Sequence, residues 1–165
     1  MFKDTGLGKL VGEKTFGKGT VQMTFEKEMG DGSNIKMTTY KWLTPNGTWI
    51  HKAGIEPDVK VEQPAYYHVM PFSKKNELSA DANNDEVKSL QVMLEGLGFK
   101  PGRTDGYFSQ QTADALKQYQ TSRSLPSTGT ASIATMESLE NDIINLLKSP
   151  ANDAQLQEAI RLLSR

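Results

Sequence analysis

The stretch TFGKGTVQ, Thr15 to Gln22, sets Lys18 between two glycines, with a glutamine four positions on. A solvated lysine needs no such neighbours, whereas glycine lets the backbone come close to other groups or take torsions that side chains resist. A lysine acting as a general base must be neutral near pH 7, so it needs burial or nearby cationic character, and a polar partner to orient it. Glutamine can orient it without adding a charge. Residues four apart on a straight strand are about 13 Å from each other, so Lys18 and Gln22 meet only if the chain turns or bulges at Gly19. His51 and His68 are far apart and lack metal-ligand spacing, and neither is read as catalytic.

The elements that must position this lysine are β-rich. From residue 1 to 72, LVGEK, TVQMTFEKE, NIKMTTYKWL and TWIHKAGIEPDVKVEQP read as strands separated by Gly, Asn and Pro signals. MGDGSN and TPNGTW predict hairpin turns, because Asp-Gly and Asn-Gly accept positive φ at low cost. Between Ile35 and Leu43 apolar residues fall on both parities, which predicts that both faces of that strand are covered.

After Pro71 the composition changes. Residues 73–84 are polar and aperiodic and read as a linker that leads to a helix-capping aspartate. Three helical stripes follow: Val87, Leu90, Met93, Leu94 and Leu97; then Ala113, Leu116 and Tyr119; then Ile133, Met136, Leu139, Ile143, Leu146 and Leu147. These stripes read as core. Gly106, Ser109 and Thr112 recur as Gly129, Ser132 and Thr135, a weak internal repeat that predicts two similar loop-helix units with serine N-caps. After Pro150 a last helix restarts, with Asp153 as its cap and Leu156, Ile160 and Leu163 on one face. It is too short to stand unsupported.

At 165 residues the chain has room for one ordinary domain or two small ones. Lys and Arg number 19 against 20 for Asp and Glu, a balance that argues against nucleic acid and anionic membrane surfaces as partners. With no cysteine there is no disulfide, thiolate zinc site or cysteine nucleophile. No apolar run approaches the roughly 20 residues that span a bilayer, and MFKDTGLGKL lacks the apolar core of a secretory signal.

VGEKTFGKGTVQ resembles the lysine-bearing motif of the carboxyl-terminal processing peptidases, also called tail-specific proteases, which use a Ser/Lys dyad. YKWLTPNGTWIHKAGIEPDVKV is similar to the segment that follows it in that family, with its TP-x-G hairpin and GI-x-PD turn. The resemblance implies that Lys18 is the general base and Gln22 the residue that orients it. It further implies that the nucleophilic serine, the oxyanion hole and a PDZ domain lie upstream, so these 165 residues alone are expected to lack peptidase activity. VKSLQVMLEGLGF, DGYFSQQTADALKQYQ and LPSTGTAS resemble three-helix peptidoglycan-binding modules, although Ser109 and Ser124 stand where that family usually has glycine. Exposed aromatics and amides would hold a glycan, which makes Tyr107, Tyr119 and Gln120 the candidates there. NDAQLQEAIRLL is similar to the closing helix of the peptidase body.

The expected fold class is α+β. A β-rich carboxyl-terminal portion of a Ser/Lys peptidase core (1–72) leads through the linker (73–84) to a peptidoglycan-binding-like domain (85–148) and a helix of the peptidase body (149–165). The resemblance implies an extracytoplasmic protease that cleaves proteins near their carboxyl termini without metal or organic cofactor. Peptidoglycan is a possible partner, and any membrane tether lies in the upstream region. Separated from its neighbours, the β-rich part is expected to self-associate, because open strand edges and apolar surface promote it. The alternative is a peptidoglycan-binding or protein-interaction module with no catalytic role.

Overall fold

The computed structural model describes residues 2–26 and 30–164. The elements run α1 (Phe2–Thr5), β1 (Val11–Gly12), β2 (Thr20–Phe25), β3 (Ile35–Lys41), β4 (Val59–Lys60), a 3-10 turn at Ala65–His68, α2 (Asp85–Gly96), α3 (Gln110–Ser122), α4 (Ile133–Lys148), a second 3-10 turn at Pro150–Asn152 and α5 (Ala154–Leu163). The fold is thus α+β, as the sequence predicts. Two compact units make it up: residues 1–62 with 158–165, and residues 63–157.

In the first unit β2 and β3 form an antiparallel pair, Thr20 opposite Lys41 and Phe25 opposite Ile35. Val21 faces Tyr40 and Gln22 faces Thr38, so Thr39 is an extra residue and the register shifts between Val21 and Gln22. TPNGTW forms its turn, with the Gly47 N–H on the Thr44 carbonyl (2.8 Å) and the Thr44 N–H on the Thr48 carbonyl (3.0 Å). MGDGSN begins on Met29, outside the described residues; within it, Asp31 Oδ1 accepts the Ser33 N–H (2.9 Å) and hydroxyl (2.6 Å) in an Asx-type turn. β1 and β4 pair in parallel through Val11–Val59 and Gly12–Lys60. The GI-x-PD segment anchors that pair: Asp58 Oδ2 accepts the Leu10 N–H at 2.9 Å, and this hydrogen bond holds the Asp58 carboxyl below its ordinary range. Contrary to the reading of its parity, β3 is exposed along its whole length, Met37 and Tyr40 among the exposed large apolar residues, and Trp42 just beyond it is exposed too. A two-stranded sheet has no second layer of its own to cover either face.

The second unit holds the core. Val87, Leu90, Met93, Leu94, Leu116, Tyr119, Met136, Leu139 and Ile143 of the three helical stripes are buried there together with Phe108, whereas Ile133, read as core with them, is exposed at the start of α4. Asn84 caps α2, its side chain accepting the Val87 N–H at 2.9 Å; Asp85 lies inside the first turn, so the cap falls one residue ahead of the predicted aspartate. Residues 63–84 belong to this unit too. Phe72 and Leu78 are buried in its core, and the Leu78 backbone pairs with Ala131 through hydrogen bonds of 3.2 and 2.8 Å. Residues 73–84 read as a linker by composition, yet Leu78 within them and Phe72 just before them are seated in the core.

The weak repeat is a structural one. Ser109 and Ser132 cap α3 and α4 on the N–H groups of Thr112 and Thr135, both at 3.3 Å. Each loop is also pinned by a buried glutamine from the preceding helix. Gln91 Oε1 accepts the Gly106 N–H (2.9 Å), while its Nε2 donates to the Tyr107 carbonyl (2.8 Å) and Thr112 hydroxyl (3.0 Å). Gln120 Oε1 accepts the Gly129 N–H (2.9 Å), while its Nε2 donates to the Thr130 carbonyl (2.8 Å) and Thr135 hydroxyl (3.2 Å). Leaving a buried polar group unpaired costs about 1–3 kcal/mol. Gln91→Ala therefore is expected to lower the unfolding free energy by about 3 kcal/mol in a urea titration, and a loss below about 1 kcal/mol would show that the amide is not what holds the loop.

Candidate functional site

Lys18 lies in the irregular run that precedes β2, with Gly17 and Gly19 buried on either side of it and its own side chain exposed. Both glycines sit where a side chain would not fit. Gly17 has φ +79°, and a Cβ there would stand 2.6 Å from the Gly54 nitrogen; a Cβ on Gly19 would stand 2.5 Å from the His51 nitrogen. The close approach lets backbone meet backbone: the Lys52 N–H donates to the Gly17 carbonyl (2.8 Å) and the Trp42 N–H to the Gly19 carbonyl (3.0 Å). The Trp49 indole N–H also donates to the Gly19 carbonyl, at 2.8 Å. The Gly17–Lys18 peptide and, one residue beyond Lys18, the Gly19–Thr20 peptide are thus fixed against the IHKAG segment and the start of the hairpin.

Gln22 is exposed on β2, at the register shift. It lines a cleft of about 530 Å³ with Thr20, Thr38, Tyr40, Trp49 and His51. Lys18 does not line that cleft, and among the described residues no hydrogen bond joins Lys18 to Gln22. Residues 14–19 lie outside the strand, so 18 and 22 are not two points on one straight strand, and the irregularity in the pairing falls at Gln22 instead of Gly19. Trp49 escaped sequence reading; a tryptophan two residues beyond the Gly of a TP-x-G hairpin was the available signal.

In the helical unit the three glycan candidates separate. Tyr119 and Gln120 are buried, at 0 % and 1 % exposure, which corrects the expectation that they present themselves to a ligand. Gln120 spends its amide on the second loop, and Tyr119 packs edge-on against Phe99 with its hydroxyl 2.7 Å from both Ser138 Oγ and Asp142 Oδ2. Burial pushes the Tyr119 phenol above its ordinary range. Tyr107 alone reaches the surface. Its hydroxyl donates to Asp81 Oδ1 (2.7 Å) and the Arg103 guanidinium lies 4.9 Å from its ring centre. Arg103 pairs in turn with Asp105, and that hydrogen bond first, then the Tyr107 N–H, holds the Asp105 carboxyl down at about 2.

Comparison with known families agrees with this division. Residues 1–61 match the model of peptidase family S41, and residues 83–139 that described as "Putative peptidoglycan binding domain". The carboxy-terminal processing protease CtpB of Bacillus subtilis is 48 % identical over 161 residues, which are 98 % of this chain and 33 % of that protein. CtpA of the same organism is 39 % identical over 157 residues, 94 % of this chain and 32 % of that protein. The probable CtpA-like serine protease of Staphylococcus saprophyticus is 38 % identical over 164 residues, 98 % and 32 % of the two chains. Among solved structures, the SleB N-terminal domain matches with a TM-score of 0.42 and 32 % identity, over 44 % of this chain and 97 % of that one. The chain is thus similar along nearly its whole length to carboxy-terminal processing proteases, with residues 1–61 matching family S41 and residues 83–139 the peptidoglycan-binding type. It spans about a third of the length of these curated relatives.

The glycine clamp is open to direct test. Gly17→Ala combines a left-handed φ with a backbone clash, and strain of this kind costs on the order of 1–3 kcal/mol per residue. The Lys52 amide, which donates to Gly17, is expected to lose most of its hydrogen-exchange protection in this variant; unchanged protection would show that the close packing is dispensable.

Proposed function

We propose that this chain supplies the base half of a Ser/Lys dyad in a carboxy-terminal processing endopeptidase. Lys18 takes the proton from a serine that comes from residues outside these 165, the serine oxygen attacks the scissile carbonyl, and Gln22 orients the amine. The observation that carries the reading is the backbone clamp: two glycines packed tightly enough to exclude any side chain hold one lysine at a set place, in a segment that matches a peptidase family. Lys18 is exposed and apart from Gln22 in this structure, so the cover that a neutral amine requires comes, in this reading, from the remainder of the protease. The 165 residues alone are inactive, because a base without its nucleophile has nothing to activate.

A general base contributes on the order of 10²–10⁴-fold. In the full-length protein Lys18→Ala is expected to lower kcat at least about 100-fold with the thermal midpoint unchanged, and cleavage at near wild-type rate would remove Lys18 from the mechanism.

The helical unit is proposed as a wall-binding module of an extracytoplasmic protease, with the carboxyl-terminal helix returning to the peptidase body. The family match over 83–139 supports the first part. Support for the second is that the chain from Glu158 onward clusters with residues 1–62, where Ala159, Leu162 and Leu163 line a cleft with Lys9 and Val11. The full chain is expected to sediment with purified peptidoglycan sacculi; a chain left wholly in the supernatant would make the module a structural or interaction domain instead.

A further inference from the structure

We infer that Trp49 is a positioning residue for Lys18, an inference that rests on the reading of Lys18 as the base. The Gly19 carbonyl, on the residue that follows Lys18, accepts the indole N–H of Trp49 at 2.8 Å together with the backbone N–H of Trp42 at 3.0 Å. On the other side, the Gly17 carbonyl accepts the Lys52 N–H at 2.8 Å. Two of these three donors are backbone groups. The indole is the one side chain in the set, and so the one donor that a substitution can remove without cutting the ladder.

The geometry around the indole is that of a held group. Its ring stacks on the His51 imidazole with centroids 5.2 Å apart and planes 22° from parallel, and Lys41 Nζ stands 4.5 Å from its centre. Its backbone bridges to Leu43 across the hairpin turn. Despite that support the side chain is 42 % exposed, so burial of apolar area accounts for only part of its presence at this position. What the indole adds is a directed donor on the Gly19–Thr20 peptide, one residue beyond Lys18. A lysine side chain has several rotatable bonds, and its amine can be aimed only if the backbone around it is still. Displacement of a reacting group by about 1 Å can cost on the order of 100-fold in rate, and one hydrogen bond that holds the backbone beside it is worth roughly a factor of ten.

The test uses the full-length protease with two changes at position 49. Trp49→Phe keeps an aromatic ring without the donor. Replacement by β-(3-benzothienyl)alanine keeps the bicyclic shape as well and again lacks the N–H. Both are expected to lower kcat about tenfold, with KM within about twofold and the thermal midpoint nearly unchanged. Wild-type kcat in the benzothienylalanine protein, or a fall in kcat only in proportion to lost thermal stability, would overturn the inference. Lys18→Ala measured beside them separates the two layers. If Lys18→Ala is inactive while both position-49 proteins run at wild-type kcat, only the role of Trp49 falls; if Lys18→Ala stays active, the base assignment and the positioning role fall together.

Discussion

A buried carboxamide is stable only where its donors and acceptor all find partners, and in the helical unit that requirement organises the structure twice. Gln91 and Gln120 each reach from one helix to the loop that starts the next, taking a glycine N–H, a backbone carbonyl and a threonine hydroxyl. The same threonine donates its own N–H to the capping serine hydroxyl. Loop, cap and preceding helix thus form one hydrogen-bonded node, and the apolar faces of α2, α3 and α4 close around two such nodes. In a low-dielectric interior a node of this kind is favourable when complete and costly when broken, which makes each loop conformation all-or-none. It also explains why Gln120 cannot serve a ligand: its polar atoms are already committed within the fold.

The residues around Lys18 solve the opposite problem. There the side chain must stay available while its backbone is immobilised. Glycine on each side removes the Cβ that would keep strands apart, so carbonyls at 17 and 19 come within hydrogen-bond reach of residues 42, 49 and 52. The constraint is carried by the main chain and one indole, and nothing among these contacts uses the lysine amine itself.

Much of this was legible in advance. The helical stripes were readable because three apolar residues per two turns must face a core, and Leu90, Leu116 and Leu139 are indeed fully buried. The serine caps and the Asp153 cap, which accepts the Leu156 N–H at 2.9 Å, follow from local geometry within four residues. The hairpin at TPNGTW is equally local. Long-range facts were not readable. Phe72 and Leu78 sit in a polar stretch with no period, and their backbones bond to residues more than 50 positions away, Glu140 and Ala131. Tyr119 and Gln120 read as ligand-facing because an aromatic and an amide suit a glycan; which side of α3 carries them inward is decided by packing.

By itself the sequence determined what is encoded by neighbours along the chain: the α+β division, the helical faces, the turns and caps, and the singular lysine between glycines. The tertiary structure decided what depends on residues distant in sequence. It placed Ile50, His51 and Gly54 against the two glycines, brought the Trp49 indole to the Gly19 carbonyl, and turned Gln120 from a surface candidate into a structural pin. The physical reason is the same in each case, since a hydrogen bond or a close contact between residues 9 to 37 positions apart has no signature in either residue's local pattern.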